Sequence, residues 1–326
     1  MNFRKINNLT TEEKSLIETF LSKSSSANLF STLKWQKITS KISNNNVIVA
    51  FFFRFDELIA LMFMEEEKKY GLLKYYYSPP RRSETPYGGP IVIDSFDKKL
   101  FVPEMINLLK KTRNSYFNIT FPPSFDIDDS ASVEVSKICG LTSLIDTDKG
   151  IEELYSNFKR NCRGHINSAK RYEIKVESGG LDKLDAFYRI LKENYSKKDL
   201  LIQDFSFYKK VINTFYPDNS KIFLAKLDDK YIGGVFLLQS NDQAYYWLGS
   251  NLKKFNNKNP GSLIQWQIIK DLSENKFKSY DLLNLSIPSI ARFKRGFGGK
   301  DYPFNTLVFR TGILEKVNKI KGIFIR

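Results

Sequence analysis

The residues best suited to chemistry gather near the end of the chain, in Arg292-Phe293-Lys294-Arg295-Gly296-Phe297-Gly298-Gly299-Lys300. Cations alternate there with aromatics, and no acid intervenes before Asp301. Such a stretch can ion-pair with, and stack on, one flat anionic ligand. Its glycines let backbone approach that ligand closely and reach positive φ. The same composition also suits a solvated basic turn that closes a helix.

Other reactive side chains are scarce. The only cysteines are Cys139 and Cys162, and the only histidine is His165, which excludes a disulfide framework. Cys162 and His165 have a ligand-like spacing. Yet Leu154, Phe158, Cys162 and Ile166 recur at four-residue steps, so Cys162 reads as a core position and no metal site is expected. A single histidine rules out most histidine-dependent schemes unless His165 is itself the base. The net charge of +15 gives a surface field that attracts polyanions: nucleotides, coenzyme phosphates, tRNA or anionic lipid head groups. Part of the lysine excess can also reflect genome composition. Met1 to Thr10 has no apolar core of a signal peptide, and the longest apolar run, Val47 to Phe53, is far short of the ~20 residues a membrane span needs. These features predict a cytoplasmic protein without a transmembrane segment, peripheral to the inner membrane face.

The 326 residues, 42% of them hydrophobic, suffice for two domains with real cores. Thr10 or Thr11 caps a helix through about Leu21, and Phe30 to Ile38 suits a second. Val47–Phe55, Leu58–Met64 and Leu72–Tyr77 read as an antiparallel meander, with turns at Asp56-Glu57 and Glu65–Gly71. An irregular segment leads to Tyr87-Gly88-Gly89-Pro90. Asp97 to Lys111 suits a helix, Ser115–Ile119 a strand and Phe121 to Val133 a loop. The second half opens with one long helix, Glu152 to Lys170, whose polar face carries Lys159, Arg160, Arg163 and Lys170. Two more helices follow, on Leu181 to Tyr195 and Phe205 to Phe215. Ile222–Leu227, Tyr231–Gln239 and Ala244–Ser250 make a second meander. Asn259-Pro260-Gly261-Ser262 opens a helix through about Glu274. Tyr280–Leu285 and Pro303–Arg310 read as strands, with the basic stretch as a turn between them and a basic helix over Ile313 to Ile325 at the end.

The halves match in element order at a nearly constant offset, which argues for a duplicated fold. We divide the chain into domains 1–147 and 148–326, each α/β with a mixed, largely antiparallel sheet flanked by helices. Ligands in such sheets bind where strands separate beside a helix N-terminus. In the second half that place is Gly249-Ser250 through Gly261-Ser262, whose free amides suit an anionic donor group. An ordinary capped helix is the alternative there.

The residues then resemble a known family, the FemABX-type or BioF2-like branch of the GNAT acyltransferase superfamily. The resemblance rests on Phe158-Lys159-Arg160-Asn161-Cys162-Arg163 with Ala169-Lys170-Arg171, and on Ile232-Gly233-Gly234-Val235. It rests further on Tyr245-Tyr246-Trp247-Leu248-Gly249-Ser250 with Leu263-Ile264-Gln265-Trp266, on the closing Phe293-Lys294 and Phe297-Gly298, and on Tyr87-Gly88-Gly89-Pro90. It implies two tandem GNAT-like domains and an N-acyltransferase, in which an amine attacks an activated acyl group. The acceptor would be a cell-envelope precursor or amino sugar. The donor would be acyl-CoA or aminoacyl-tRNA as co-substrate, with no permanently bound cofactor. The chain departs from the usual coenzyme A loop, since Lys258-Asn259-Pro260-Gly261-Ser262 holds one glycine. It also lacks the Asp-x-Gly-Gly ending at Tyr280–Leu285.

Aminolysis of a thioester or ester passes through an anionic tetrahedral intermediate. The resemblance singles out Lys294 for the oxyanion or leaving group, and Asp281 is the nearest strand-end carboxylate for the proton. Phe293, Phe297 and Gly298 belong to the same motif, and Arg292 and Arg295 are candidates to clamp phosphates. Tyr87, Gly88 and Gly89 would line an acceptor cleft, and Arg160, Asn161 and Arg163 an acceptor diphosphate. Gly249, Ser250, Gly261 and Ser262 would hold the donor. The expected partners are an anionic small-molecule or lipid-linked acceptor, tRNA and the membrane surface. A basic protein that binds RNA or nucleotides without catalysis is the competing reading.

Overall fold

The computed structural model describes residues 1–42, 46–123, 125, 136–196 and 201–317. It divides into two compact units, one of Met1–Gly140 with Pro303–Arg326, the other Leu141–Tyr302. The division differs from 147/148 at two points. It falls earlier, and the last strand of the chain belongs to the first unit.

The first unit runs β1 (Asn2–Lys5), α1 (Thr11–Ser22), α2 (Leu33–Thr39), β2 (Asn46–Arg54), β3 (Glu57–Lys69), β4 (Leu73–Ser78), β5 (Pro90–Val92), α3 (Lys98–Lys110) and β6 (Ser115–Thr120). Thr10 and Glu13 form a reciprocal capping box that starts α1. Asp97 caps α3 by accepting from Lys99 N. β2 to β4 form the expected antiparallel meander, and β6 adds in parallel to β4. β1 pairs with β2, β5 with β3, and the returning strand Lys300–Arg310 with β6. The apolar runs of β2 and β3 are continuous because both sheet faces are covered. Val47, Val49, Phe51, Leu61 and Phe63 pack toward Ile17 and Phe20 of α1. Ile48, Ala50, Phe52, Met62 and Met64 pack toward Phe101, Met105 and Leu109 of α3. The turn expected over Glu65–Gly71 is shorter. β3 continues to Lys69, and Tyr70 and Gly71, both at positive φ, make the reversal.

The second unit runs β7 (Ser136–Asp146), α4 (Ile151–Ser156), α5 (Arg160–Arg171), β8 (Lys175–Gly179), α6 (Leu181–Ser196), α7 (Phe205–Phe215), β9 (Ser220–Leu227), β10 (Lys230–Ser240), β11 (Gln243–Asn251), α8 (Pro260–Glu274), β12 (Ser279–Asp281) and α9 (Pro288–Lys294), with β13 (Lys300–Arg310) following. Its sheet order is β7-β12-β11-β10-β9-β8. β9 to β11 are antiparallel, β12 joins β11 in parallel, and β7 joins β12 antiparallel. Apart from β5, this repeats the first unit strand for strand, and the expected α/β class with mixed, largely antiparallel sheets is borne out. In each unit the strand beyond the parallel one, β13 or β7, is encoded away from the rest of its sheet.

Three expectations are corrected. The helix over Glu152 to Lys170 is two helices, broken at Asn157 to Lys159, although the Leu154, Phe158, Cys162 and Ile166 stripe runs unbroken into the core. The strand at Tyr280–Leu285 stops at Asp281. The basic stretch is helical for most of its length: α9 ends at Lys294 and a short 3-10 helix covers Arg295–Phe297. Of the loop expected over Phe121 to Val133, residues 124 and 126–133 lie outside the described residues, as do 318–325 of the expected terminal helix. No helix among the described residues is long and apolar enough to cross a membrane.

Candidate active site

β11 and β12 pair only from Gln243↔Ser279 to Tyr245↔Asp281. Beyond that point β11 continues to Asn251 against β10 alone, with a register shift at Phe236/Leu237. The other strand turns away. Leu283 takes a φ of 58°, and the buried Asp281 carboxylate accepts from Leu283 N at 2.7 Å and from the Thr142 hydroxyl. A buried carboxylate holding a backbone amide in a left-handed turn fixes where the sheet opens.

Lys294, on the last turn of α9, reaches back to this opening. Its side chain is buried, and Nζ donates to Asn284 O at 2.9 Å and Leu283 O at 3.3 Å. It lies 5.5 Å from the centroid of the Tyr246 ring. Burial disfavours the ammonium and lowers the amine to about 8, and Asp281 opposes the shift. Tyr246 is half-buried, and desolvation raises its phenol to about 12. A Cβ on Gly249 would collide with that phenol, so this position takes glycine for packing. Tyr280, from β12, donates to Gln265 Oε1 of α8 at 2.9 Å behind the opening. The group therefore presents a desolvated amine, poised near neutral pH, beside an aromatic face at a parting of strands. Such an amine can donate to a developing oxyanion or a leaving oxygen.

The rest of the basic stretch is a clasp. Gly296 O accepts from Lys159 N at 2.9 Å, across the α4–α5 break. Phe297 is buried edge-on to Phe158 at 5.4 Å and to Phe293 at 5.2 Å. Gly298 has a φ of 75°, and a Cβ there would lie 2.6 Å from Asn157 O. Arg163 donates to Ser156 O and Phe158 O, bracing the same break. Arg295 is paired with Asp301 through Nε at 2.7 Å and a terminal nitrogen at 2.6 Å. These contacts engage Arg163 and Arg295 within the protein. Arg292, Arg160 and Asn161 are exposed, and Asn161 Oδ1 accepts from Cys162 N.

At the start of α8, Asn259 sits in the left-handed region and provides no side-chain cap, and Pro260 takes the first helical position as expected. Gly261 and Ser262 are buried, and the Asn251 side chain fills the space beside Gly261. Ser250 Oγ accepts from Asn194 at 3.0 Å. Tyr87, Gly88 and Gly89 belong to the first unit. There Tyr87 is buried edge-on to Phe304, Gly88 N donates to Thr120 O and Gly89 N to Ser78 Oγ.

Tyr246, Gln265 and Thr142 complete the opening and were not singled out from sequence as site residues. The first two lie inside the quoted motifs, but only the strand pairing reveals which way they serve. Cys162 is a core residue whose thiol burial raises to about 12, His165 is exposed, and the described residues hold no cluster of three metal-ligating side chains.

Comparison with known proteins bears on the family and the fold. Residues 156–295 match the family described as an acetyltransferase (GNAT) domain, a span that holds Tyr246, Gln265, Asp281 and Lys294. The lipid II:glycine glycyltransferase of Staphylococcus haemolyticus is 25% identical over 91 residues, 28% of this chain and 22% of that protein. The match thus spans under a quarter of that relative's length. The crystal structure of FemX superposes with a TM-score of 0.63 at 15% identity, covering 94% of this chain and 97% of that one. A tandem GNAT protein from the clavulanic acid biosynthesis pathway gives 0.50 at 9% identity, again over 94% and 97%. The resemblance read from the sequence is borne out.

Proposed function

We propose, from the premise that the second unit is a GNAT-type acyltransferase domain of the FemABX-like kind, that the chain transfers an aminoacyl group to an amine of a lipid-linked cell-envelope precursor. The observation that carries this reading is the buried, pKa-lowered Lys294 at the parting of β11 and β12. The acceptor amine attacks the ester carbonyl of the donor, and a C–N bond forms. The carbonyl oxygen takes the charge and accepts from Lys294 Nζ. The C–O bond to the carrier then breaks, and the proton lost by the amine ends on the leaving oxygen. Asp281 acts through the backbone: by holding Leu283 it positions the carbonyls that grip Lys294. Arg292, Arg160 and Asn161, being exposed, are the candidates for substrate phosphates.

Aminoacyl-tRNA is favoured over acyl-CoA by the first turn of α8. Pro260 has no N–H, and Ser262 N donates to Asn259 O. Few amides are left to cradle a pyrophosphate. The relatives named lipid II:glycine glycyltransferase support an aminoacyl rather than an acetyl group as the one moved. A binder of RNA alone would have no use for a desolvated lysine at a sheet opening.

The test supplies the protein with tRNA charged with labelled glycine, alanine or serine, or with acetyl-CoA, and a lipid-linked or water-soluble muropeptide precursor. Mass spectrometry should show the precursor heavier by an aminoacyl residue. Acetyl transfer alone, or turnover untouched by Lys294→Met, would overturn the reading.

A further inference from the structure

One end of the first unit gathers elements that are far apart in sequence. The β3–β4 hairpin tip, Lys68 to Lys74, meets the α3–β6 turn where Lys74 N donates to Asn114 O at 3.1 Å. The segment after β13 joins them, with Ile313 N donating to Asn114 Oδ1 and the Thr311 hydroxyl to Thr112 O. Three strand connections therefore share one surface.

That surface combines two kinds of side chain. Tyr70 is 90% exposed and Leu72 69%, on a tight turn whose positive φ values push them outward. Ile313 and Val317, one helical turn apart, are 51% and 44% exposed. Around them stand the exposed cations Lys68, Lys111, Arg113 and Lys316, with Lys69, Lys74 and Lys110 half-buried behind. Among the described residues the acids at this end are Glu66, which accepts from the Tyr76 hydroxyl, Glu67, already paired with Arg81 and Lys69, and Glu315. The other tip of β3 differs. Phe55 is exposed there too, but Asp56 and Glu57 adjoin it.

We infer that this end of the first unit is a docking face for an anionic lipid bilayer. Projecting aliphatic side chains ringed by lysines match a membrane interface, where apolar tips enter the acyl boundary, tyrosine sits at head-group level and cations meet anionic head groups. RNA would use the cations but not Leu72, Ile313 or Val317, since its backbone offers no apolar partner. The inference rests on the proposed lipid-linked acceptor for its purpose, and on the surface itself for its content.

The experiment measures co-sedimentation of the full chain with phosphatidylcholine vesicles, with and without phosphatidylglycerol. Binding should require phosphatidylglycerol. The quadruple variant Lys68→Gln, Lys111→Gln, Arg113→Gln, Lys316→Gln should bind on the order of a hundredfold less. Tyr70→Ser with Leu72→Ser should bind about tenfold less, and that loss should persist at high salt. All the substituted side chains are exposed, so melting curves should match the parent. Both variants should keep transfer to a water-soluble acceptor and lose it for an acceptor in vesicles. No vesicle binding by the parent, or binding unchanged in both variants, overturns the inference. So does a quadruple variant that loses affinity for a tRNA pool while keeping vesicles. A parent that binds vesicles through this face yet transfers to neither acceptor leaves the docking face standing and refutes the proposed function.

Discussion

In the first unit β4 and β6 stay paired from Lys74↔Ser115 to Ser78↔Ile119, whereas in the second β11 and β12 part after Tyr245↔Asp281. The helices before the two parallel strands differ in the same sense. α3 closes its N-terminus with the Asp97 carboxylate, while α8 begins at Asn259 without a side-chain cap. A zipped sheet beside a self-capped helix has satisfied its own polar groups. An opened sheet leaves room between its strands, and a lysine fills the opening. One topology thus closes in one unit and opens in the other, and the difference lies in a few residues after a strand end.

The largest test of that contrast is Lys294→Met. Transfer should fall about 10²- to 10³-fold, the usual loss of one oxyanion donor, with circular dichroism unchanged. Gly298→Ala comes next. Its positive φ and the nearby Asn157 carbonyl should cost about 3 kcal/mol in denaturant unfolding, and a loss near zero would refute the clasp. Third is a pH effect. The folded amine of Lys294 lies at about 8, below its ordinary 10.5, so the unfolded chain binds more protons between those values. Lys294 should therefore add roughly 2 kcal/mol of stability between pH 7.5 and 9.5, read as the difference between the parent and Lys294→Met, because the buried Cys162 thiol, raised to about 12, opposes the rise within this window in both proteins. The buried phenols of Tyr246 and Tyr280, raised by desolvation, act in the opposite sense only above about 10, outside this window. The smallest effect is Asp97→Ala, which should cost about 1 kcal/mol of stability and leave transfer intact. A loss of transfer there would show that the closed unit shares in the chemistry.

Much of the fold was legible because its signals are local. Thr10 with Glu13, Pro260 after Asn259, and the apolar runs of β2, β3, β9 and β10 each declare an element in a few residues. The exchanged strands were not legible. β7 mixes Ser, Lys, Gly and Thr with no alternation, and only its partners make it a strand. The α4–α5 break was hidden by an apolar stripe that continues through it, since the clasp from Gly296 to Gly298 bends the chain there from a distance. At the candidate site, composition marked a stretch of nine residues but did not by itself rank them. A lysine among arginines reads as solvated, and its burial depends on the Leu283 turn. That turn depends in turn on Asp281 and Thr142.

The returning strand β13 also orders events on the ribosome. Ser115 N donates to Thr311 Oγ1 across 196 residues of chain. Until Lys300–Arg310 is synthesised, β6 keeps a bare edge through the making of the whole second unit. Such an edge invites pairing with another nascent chain, and so distant a closure folds slowly. The unit that begins first is completed last.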